Sequence, residues 1–202
     1  MTSNNKVLIL ASTSASRAKI MNNAGLKFTA VPSDAPEDEL KEKFGKVDSL
    51  EKARDYVLML SREKARGVRG GNENIVIGAD TIAFYKDEKL EKPKDEEDAR
   101  RIFNMLSGTT HYCLTGVCII DGDYEDNFCK ISEVKMDEIP REIQDELVKD
   151  RLTYTYAGGY CIDGNLHDRA KVLPEDFNNV MGLPVEDIID KLEKLGYNFK
   201  VE

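Results

Sequence analysis

One stretch near the N-terminus constrains the fold of this 202-residue chain more than any other. The apolar run at 6–11 is short enough to be a buried strand, and a serine-rich turn separates it from a helical segment at 18–25 that ends at a glycine. The first N–H groups of a helix lack partners and carry the positive end of its dipole, so this succession predicts an anion site. Ser12 or Ser14 is expected to cap the helix, and Arg17 to point toward the same opening.

The charge and composition limit the partners of the chain. A net charge of -9 argues against a nucleic acid polymer or an anionic membrane as the main partner, because both would be repelled. A bound polyanion therefore needs a local cluster of Lys and Arg, together with a metal ion. No apolar run reaches the roughly 18 residues of a membrane span, and no signal peptide is recognisable. The four cysteines lack CxxC spacing and predict free thiols, so we expect a cytoplasmic protein.

Hydrophobic periodicity predicts a mixture of strands and helices in a single domain spanning 1–202. Strands are expected at 26–31, 74–79, 110–120, 124–136 and 197–201, a β-hairpin at 82–90 turning at 87–88, and helices at 49–68, 95–106, 140–149 and 185–195. The segment 32–48 has no clear periodicity and is expected to be a long loop. Because hairpins and helical crossovers both occur, we predict an α/β fold with a mixed sheet.

Four residues outside the first stretch lie where ligands are often bound. Asp80 stands at the carboxyl end of a predicted buried strand, where open α/β sheets place ligands, although a capping role is an alternative. Lys64 is expected near the inward face at the end of its helix, where it could instead be a dipole partner. Glu37 is either a metal or base contact or a solvated acidic residue. Lys92 is an isolated lysine ahead of a predicted helix.

Several familiar chemistries lack their motifs in this chain. There is no P-loop, no H-E-x-x-H, no G-x-S-x-G and no G-x-G-x-x-G pattern. With only His111 and His167, a histidine metal site or a Ser-His-Asp triad has little to draw on, and His111 is interpreted as a structural hydrogen-bonding residue. The remaining cations and carboxylates predict metal-assisted hydrolysis of a phosphoanhydride.

Taken together, the motifs resemble the Maf (septum-formation inhibitor) family. The resemblance runs in order through Leu10-Ala-Ser-Thr-Ser-Ala-Ser-Arg17, Glu37, Lys64-Ala65, Ile77-Gly-Ala-Asp-Thr81, Lys92-Pro93, Leu106-Ser-Gly108, His111, Thr115-Gly-Val117, Ala157-Gly-Gly-Tyr160 and Asn179-Val-Met-Gly-Leu-Pro184. It implies a nucleoside triphosphate pyrophosphatase that cuts between the α- and β-phosphates with a divalent cation (Mg²⁺, Mn²⁺ or Co²⁺). It also implies a strongly twisted mixed sheet with flanking helices, an elongated two-lobed shape around a central cleft, and a homodimer.

The resemblance assigns a role to each candidate residue. Asp80 matches the proton acceptor, which deprotonates water directly or through a bound metal, and Glu37 matches the acidic residue near the metal. The residues that match the phosphate-binding side of the site are Ser12, Ser14, Arg17, Lys64 and Lys92.

The chain departs from the family pattern where the base is selected. Ala15-Ser16 stands where the family usually has Pro-Arg, which goes with thymidine and uridine triphosphates, or Pro and an aromatic residue, which goes with 7-methylguanosine triphosphate. Thr81 matches the pyrimidine type, whereas Asp163 replaces the Gln of that type and the Glu of the other, and a carboxylate only accepts hydrogen bonds. We favour dTTP, UTP or a modified nucleotide, with 7-methylguanosine triphosphate as the alternative. The changes at Ala15 and Ser16 also allow a catalytically impaired nucleotide-binding or regulatory protein.

Overall fold

The computed structural model describes residues 6–68, 73–164 and 166–200. In chain order its strands and helices are β1 (Val7–Ala11), α1 (Ala15–Asn23), β2 (Thr29–Val31), α2 (Glu37–Phe44), α3 (Leu50–Arg66), β3 (Asn74–Tyr85), β4 (Glu88–Leu90), α4 (Glu96–Leu106), β5 (Thr110–Asp121), β6 (Tyr124–Met136), α5 (Arg141–Leu147), β7 (Ala170–Leu173), α6 (Phe177–Val180) and α7 (Val185–Lys194). Short 3-10 helices occupy Arg151–Thr155, Ala157–Gly159 and His167–Arg169. Within the described ranges, no helix is both long enough and apolar enough to cross a bilayer.

The strands form a mixed 7-stranded sheet. Its order is β2-β1-β3-β5-β6-β7, and β4 pairs with β3 off this path. β1 is parallel to β2 and β3, whereas β3, β5, β6 and β7 are joined by antiparallel pairings. The predicted α/β class with a mixed sheet and flanking helices is confirmed. The expected two-lobed shape stays a prediction.

Successive side chains of β3 point to opposite faces of the sheet, and different helices cover these two faces. Because side chains alternate along a strand, Ile77 packs in the cluster that contains α1 and α7, whereas Ile82 packs against α3. Asp80 shares the face of Ile82, and Thr81 lies on the opposite face. The two neighbouring residues therefore meet different helices.

One edge of β3 opens in its middle. β1 pairs with β3 as far as Leu10 opposite Ile77, and β4 pairs with it from Leu90 opposite Ala83. The other edge of β3 is paired with β5 through this stretch, so β1 and β4 lie on the same side. Among the described residues, 78–82 have no strand partner on that edge. We call this interval the sheet opening, and it contains Asp80 and Thr81.

Helix α3 approaches the sheet closely because two positions beneath it are glycine. A Cβ on Gly78 would overlap the carbonyl oxygen of Ser61 and lie 2.5 Å from the backbone nitrogen of Ala65. A Cβ on Gly116 would likewise overlap the carbonyl oxygen of Val57. The absence of these two side chains lets α3 lie directly against β5 near Val57 and against β3 near Lys64.

The structure corrects the prediction for 32–48, which is not a loop throughout. Helix α2 forms within it, and Leu40 and Phe44 pack against the apolar cluster around α3. These two residues are one helical turn apart, and the rest of α2 is charged. The helix has too few apolar positions to show a period in the sequence, so its folding depends on the tertiary contact.

Other differences concern the ends of elements and very short ones. The predicted terminal strand at 197–201 is wrong, since Lys200 makes only an isolated bridge with Leu26 and residue 201 lies outside the described residues. The strand at 26–31 shortens to β2, the strand at 74–79 continues to Tyr85, and the hairpin turns at 86–87. The sequence patterns do not predict β7 or α6, because each has only 4 residues. The remaining predicted helices and strands are confirmed with small shifts of their ends.

Candidate active site

The turn between β1 and α1 has the predicted caps. The Oγ atom of Ser14 accepts a hydrogen bond from the backbone nitrogen of Arg17 at 3.4 Å, and Ser14 is the N-cap of α1. The Oγ atom of Ser12 instead accepts from the backbone nitrogen of Ser14 at 3.1 Å and from Nη1 of Arg17 at 3.4 Å. The first turn of α1 has no acidic residue, so its positive end is not neutralised locally.

Arg17 extends from α1 to the sheet opening. Its Nε atom donates to the carbonyl oxygen of Gly182 at 2.8 Å, and its Nη2 atom donates to Oγ1 of Thr81 at 3.1 Å. Burial lowers the pKa of Arg17, and the negative charges of Asp80 and Glu37 oppose this shift. Because an arginine side chain remains protonated, the opening has a fixed positive charge on the α1 side.

Lys64 lies between two carboxylates on the α3 side of the opening. Its Nζ atom is 2.7 Å from Oδ1 of Asp80 and 3.1 Å from Oε2 of Glu37. The side chains of Lys64 and Asp80 are only 12% and 13% exposed, so solvent screens their interaction weakly. Three candidates from α2, α3 and β3 are thus in one cluster.

Glu37 and Asp80 are the carboxylates that could hold a divalent cation. Mg²⁺ is usually held by one or two protein carboxylates together with substrate phosphates and water. In the described parts of the chain, no three His, Cys, Asp or Glu side chains form a metal-binding group. The pair therefore fits a cation that is completed by the phosphates of a ligand.

The hydroxyl group of Thr81 is engaged in a chain of hydrogen bonds. The Oγ1 atom of Thr115 donates to the carbonyl oxygen of Asn179 at 2.9 Å, and it lies 3.0 Å from Oγ1 of Thr81. The hydroxyl of Thr81 accepts from Arg17, and its own proton is available to Thr115 or to the carbonyl oxygen of Gly182, which is 3.3 Å away. These contacts hold Arg17 in place, and the base contact assigned to Thr81 stays a prediction.

The other two specificity candidates, Ser16 and Asp163, lie on neighbouring segments. The Sγ atom of Cys161 donates to Oδ1 of Asp163 at 2.6 Å, and Nζ of Lys19 is 3.4 Å from Oδ2. The Cys161 hydrogen bond and then the Lys19 contact lower the pKa of Asp163, so this exposed carboxylate is ionised at neutral pH. Burial raises the pKa of Tyr156, and the side chains of Ser16 and Cys161 are near enough to its hydroxyl to influence this shift. Together with the ion pair of Lys19 and Asp163, these contacts bring α1 and 156–163 together beside the turn between β1 and α1.

Lys92 is exposed and has no hydrogen bond or ion pair to any described residue. It follows β4, whose last residue, Leu90, pairs with Ala83. The pairing ends there, and Lys92 comes two residues later, so its backbone lies within about 7 Å of the end of β4, next to the sheet opening. The fold therefore brings Lys92 to the same region as Asp80 without a direct contact between them.

Sequence patterns alone assign no site role to Thr115, Asn179 and Gly182. All three lie in motifs that carry the family resemblance, which is the one signal that could have indicated them. Their contacts with Thr81, with Arg17 and with one another connect residues 34 to 165 positions apart, so only the folded chain shows them.

Comparison with known families identifies the chain. The pattern of the Maf-like protein family matches residues 7–195, from β1 to the end of α7. The chain belongs to the Maf-like protein family. The matched range contains every site residue described above.

Curated relatives of this Maf-like protein cover nearly the same length. A dTTP/UTP pyrophosphatase of Agathobacter rectalis is 36% identical, with 94% of this chain and 97% of the relative aligned. A dTTP/UTP pyrophosphatase of Exiguobacterium sibiricum is 35% identical, covering 94% and 92%. One of Thermococcus kodakarensis is 34% identical, covering 95% and 98%.

Proposed function

We propose that this Maf-like protein is a nucleoside triphosphate pyrophosphatase that hydrolyses dTTP and UTP to a nucleoside monophosphate and pyrophosphate. The observation that carries the proposal is the position of Lys64 between Asp80 and Glu37 on the α3 side of the sheet opening. Arg17 lies on the α1 side of the same opening. The relatives named dTTP/UTP pyrophosphatase support the reaction and the choice of base.

The cations of the site bind the triphosphate. Arg17, Lys64 and Lys92 come from three separate segments around the opening, and the N-terminus of α1 adds unpaired N–H groups. Charge-assisted hydrogen bonds to phosphate oxygens are about twice as strong as neutral ones. A local group of this kind holds a polyanion although the whole chain carries a charge of -9.

Asp80 is the proton acceptor for the attacking water. An ionised carboxylate accepts hydrogen bonds only, so it can orient a water molecule and take its proton as the bond to the α-phosphorus forms. Glu37 and Asp80 would hold the divalent cation, Mg²⁺, Mn²⁺ or Co²⁺, which when bound neutralises charge on the phosphate oxygens. Pyrophosphate leaves with the electrons of the broken α–β bond.

Product analysis tests the proposal. Purified protein incubated with dTTP or UTP and Mg²⁺ should release equal amounts of nucleoside monophosphate and pyrophosphate, measured by mass spectrometry. Release of orthophosphate and a nucleoside diphosphate would contradict cleavage between the α- and β-phosphates. Asp80→Asn should abolish turnover with any of the three metals, whereas Asp168→Asn, at an almost fully exposed position, should leave it unchanged.

A second substrate is favoured by the ionised carboxylate of Asp163. It accepts hydrogen bonds only, and guanine, unlike thymine, presents an amino donor beside its ring N–H. A screen of canonical, methylated and otherwise modified triphosphates with Mg²⁺, Mn²⁺ and Co²⁺ separates the alternatives. Preference for 7-methylguanosine triphosphate would replace the pyrimidine assignment. Nucleotide binding in calorimetry without turnover of any substrate would instead identify an impaired, nucleotide-binding member of the family.

We also propose that the chain acts as a cytoplasmic homodimer built from one domain per chain. This proposal rests on the family resemblance. Light scattering of the purified protein should give twice the chain mass of 22.8 kDa, and unfolding should be a single cooperative transition. A monomer mass at working concentration would refute the dimer.

A further inference from the structure

A buried hydrogen bond joins β5 to the segment that follows the 3-10 helix at 157–159. The Nε2 atom of His111, a residue with no exposed surface, is 2.6 Å from the phenol oxygen of Tyr160. The two rings meet edge to face, at 86°. Tyr160 is itself only 6% exposed, so this contact anchors one end of the glycine-containing segment in the core.

The anchored segment contacts the chain on both sides of Lys92. The backbone nitrogen of Gly158 donates to the carbonyl oxygen of Glu91 at 3.0 Å. Gly159 lies against the ring of Pro93, since a Cβ at that position would be 2.9 Å from its Cγ atom. Both glycines have φ of +74°, a conformation that other residues rarely adopt, so the segment has a definite shape.

These contacts matter for Lys92 because its side chain has no partner of its own among the described residues. The reach of its ammonium group is set by where its backbone is held. Glu91 and Pro93, its two neighbours, are the positions that the 158–159 segment holds.

Burying the His111 ring beside Tyr160 costs more folding free energy than burying two apolar rings would. The Nδ1 atom of His111 is buried without a hydrogen-bond partner among the described residues. Burying an unpaired polar atom destabilises a fold, and two apolar rings would fill a similar space without that penalty. The hydrogen bond between His111 and Tyr160 is the polar contact that fixes the buried end of this segment.

We propose that His111 and Tyr160 are positioning residues that hold Lys92 in its phosphate-binding position, through Gly158 and Glu91. The inference rests on the proposed function, because binding of phosphate by Lys92 is part of that proposal. The link itself is a property of the fold and can be measured without substrate.

Amide hydrogen exchange tests the link. Tyr160→Phe removes the phenol oxygen, and the Gly158 amide should then exchange about tenfold faster or more. Tyr154→Phe is the matched control, since its phenol donates to the carbonyl oxygen of Val148 at 2.8 Å and, among the described residues, makes no hydrogen bond to Gly158, Glu91 or Pro93. Unchanged exchange at Gly158 in Tyr160→Phe, or an equal change in the control, would overturn the proposal.

Steady-state kinetics test the consequence. Tyr160→Phe should raise KM for the triphosphate about fivefold, the value of one hydrogen bond, with kcat changed much less. In a Lys92→Met background the same substitution should raise KM no further. Independent, additive effects would show that Tyr160 does not act through Lys92.

Two further experiments distinguish failure of this proposal from failure of the variant to fold and from failure of the proposed function. His111→Phe removes the same bond from its other end, since phenylalanine has no nitrogen to pair with the phenol, and should reproduce both effects, which covers the case in which Tyr160→Phe does not fold. Wild-type protein without turnover would refute the proposed function, while the exchange measurement would still decide whether His111 and Tyr160 hold the Lys92 segment.

Discussion

The ammonium group of Lys64 lies 2.7 Å from a carboxylate oxygen of Asp80, and both side chains are largely shielded from solvent. The lysine comes from the last turn of α3 and the aspartate from the middle of β3. Glu37 of α2 approaches the same ammonium group from its other side. Two negative groups therefore share one positive group at the place where the sheet opens.

Replacing Lys64 with Met should destabilise the protein and make it respond to a divalent cation. The substitution leaves Asp80 and Glu37 without their shared partner, at a cost of roughly 2–3 kcal/mol in the free energy of unfolding. Mg²⁺ should recover part of this loss, measured by urea unfolding with and without the metal. Lys191→Met removes a more exposed pair with Asp126 and is the control. Equal responses to Mg²⁺ in both variants would contradict the prediction.

Gly78→Ala should move α3 away from β3. The added Cβ overlaps the backbone of α3 next to Lys64, so we expect a loss of roughly 2–3 kcal/mol in stability and at least a tenfold fall in kcat/KM. Gly116→Ala makes the same kind of overlap two turns earlier, at Val57. Thermal unfolding should show similar losses for both, and activity should fall further in Gly78→Ala. Identical activities would show that the separation of α3 from the sheet does not set the position of Lys64.

Thr115→Val should loosen Arg17 without changing the size of the buried residue. Valine cannot accept from Thr81 or donate to the carbonyl oxygen of Asn179, so Arg17 loses part of its support. KM for the triphosphate should rise about fivefold. Thr115→Ser retains the hydroxyl group and should stay close to the wild-type value. A serine variant as impaired as the valine variant would point to packing instead.

Asp163→Gln should shift the preference of the enzyme toward pyrimidines. An amide offers both a donor and an acceptor to the edge of the base, whereas the ionised carboxylate only accepts. The ratio of kcat/KM for dTTP to that for 7-methylguanosine triphosphate should increase about fivefold or more, and Asp168→Gln should leave it unchanged. An unchanged ratio in Asp163→Gln would remove Asp163 from the base site.

Stability should fall in acid because of His111. Burial lowers the pKa of His111 from 6.5 to about 4. The unfolded chain therefore binds a proton first, so the stability linked to this group is complete above pH 6.5 and is lost as the pH falls toward 4, by about 3 kcal/mol. His111→Gln should flatten this part of the curve of unfolding free energy against pH, and His167→Gln, at an exposed histidine, should not. Parallel curves for wild type and His111→Gln would contradict the assignment.

The turn between β1 and α1 is the part of the site that local sequence predicts best. Ser14 caps α1 and Arg17 enters the opening as expected, because a cap and a first-turn residue depend on neighbours only a few positions away. The buried runs that became β1, β3 and β5 are likewise read from their own composition. Helix α2 is different, since its few apolar residues are stabilised only by contact with α3.

By itself, the sequence determined the local conformations, the mixed class of the sheet and, through its ordered motifs, the family. The tertiary structure decided that Asp80 faces Lys64 while Thr81 faces Arg17, and that the segment beside Tyr160 holds the chain around Lys92. The physical reason is distance along the chain. Which face of β3 a residue occupies, and which distant side chain meets it there, depends on strand register and helix packing, and these are set by the whole core at once.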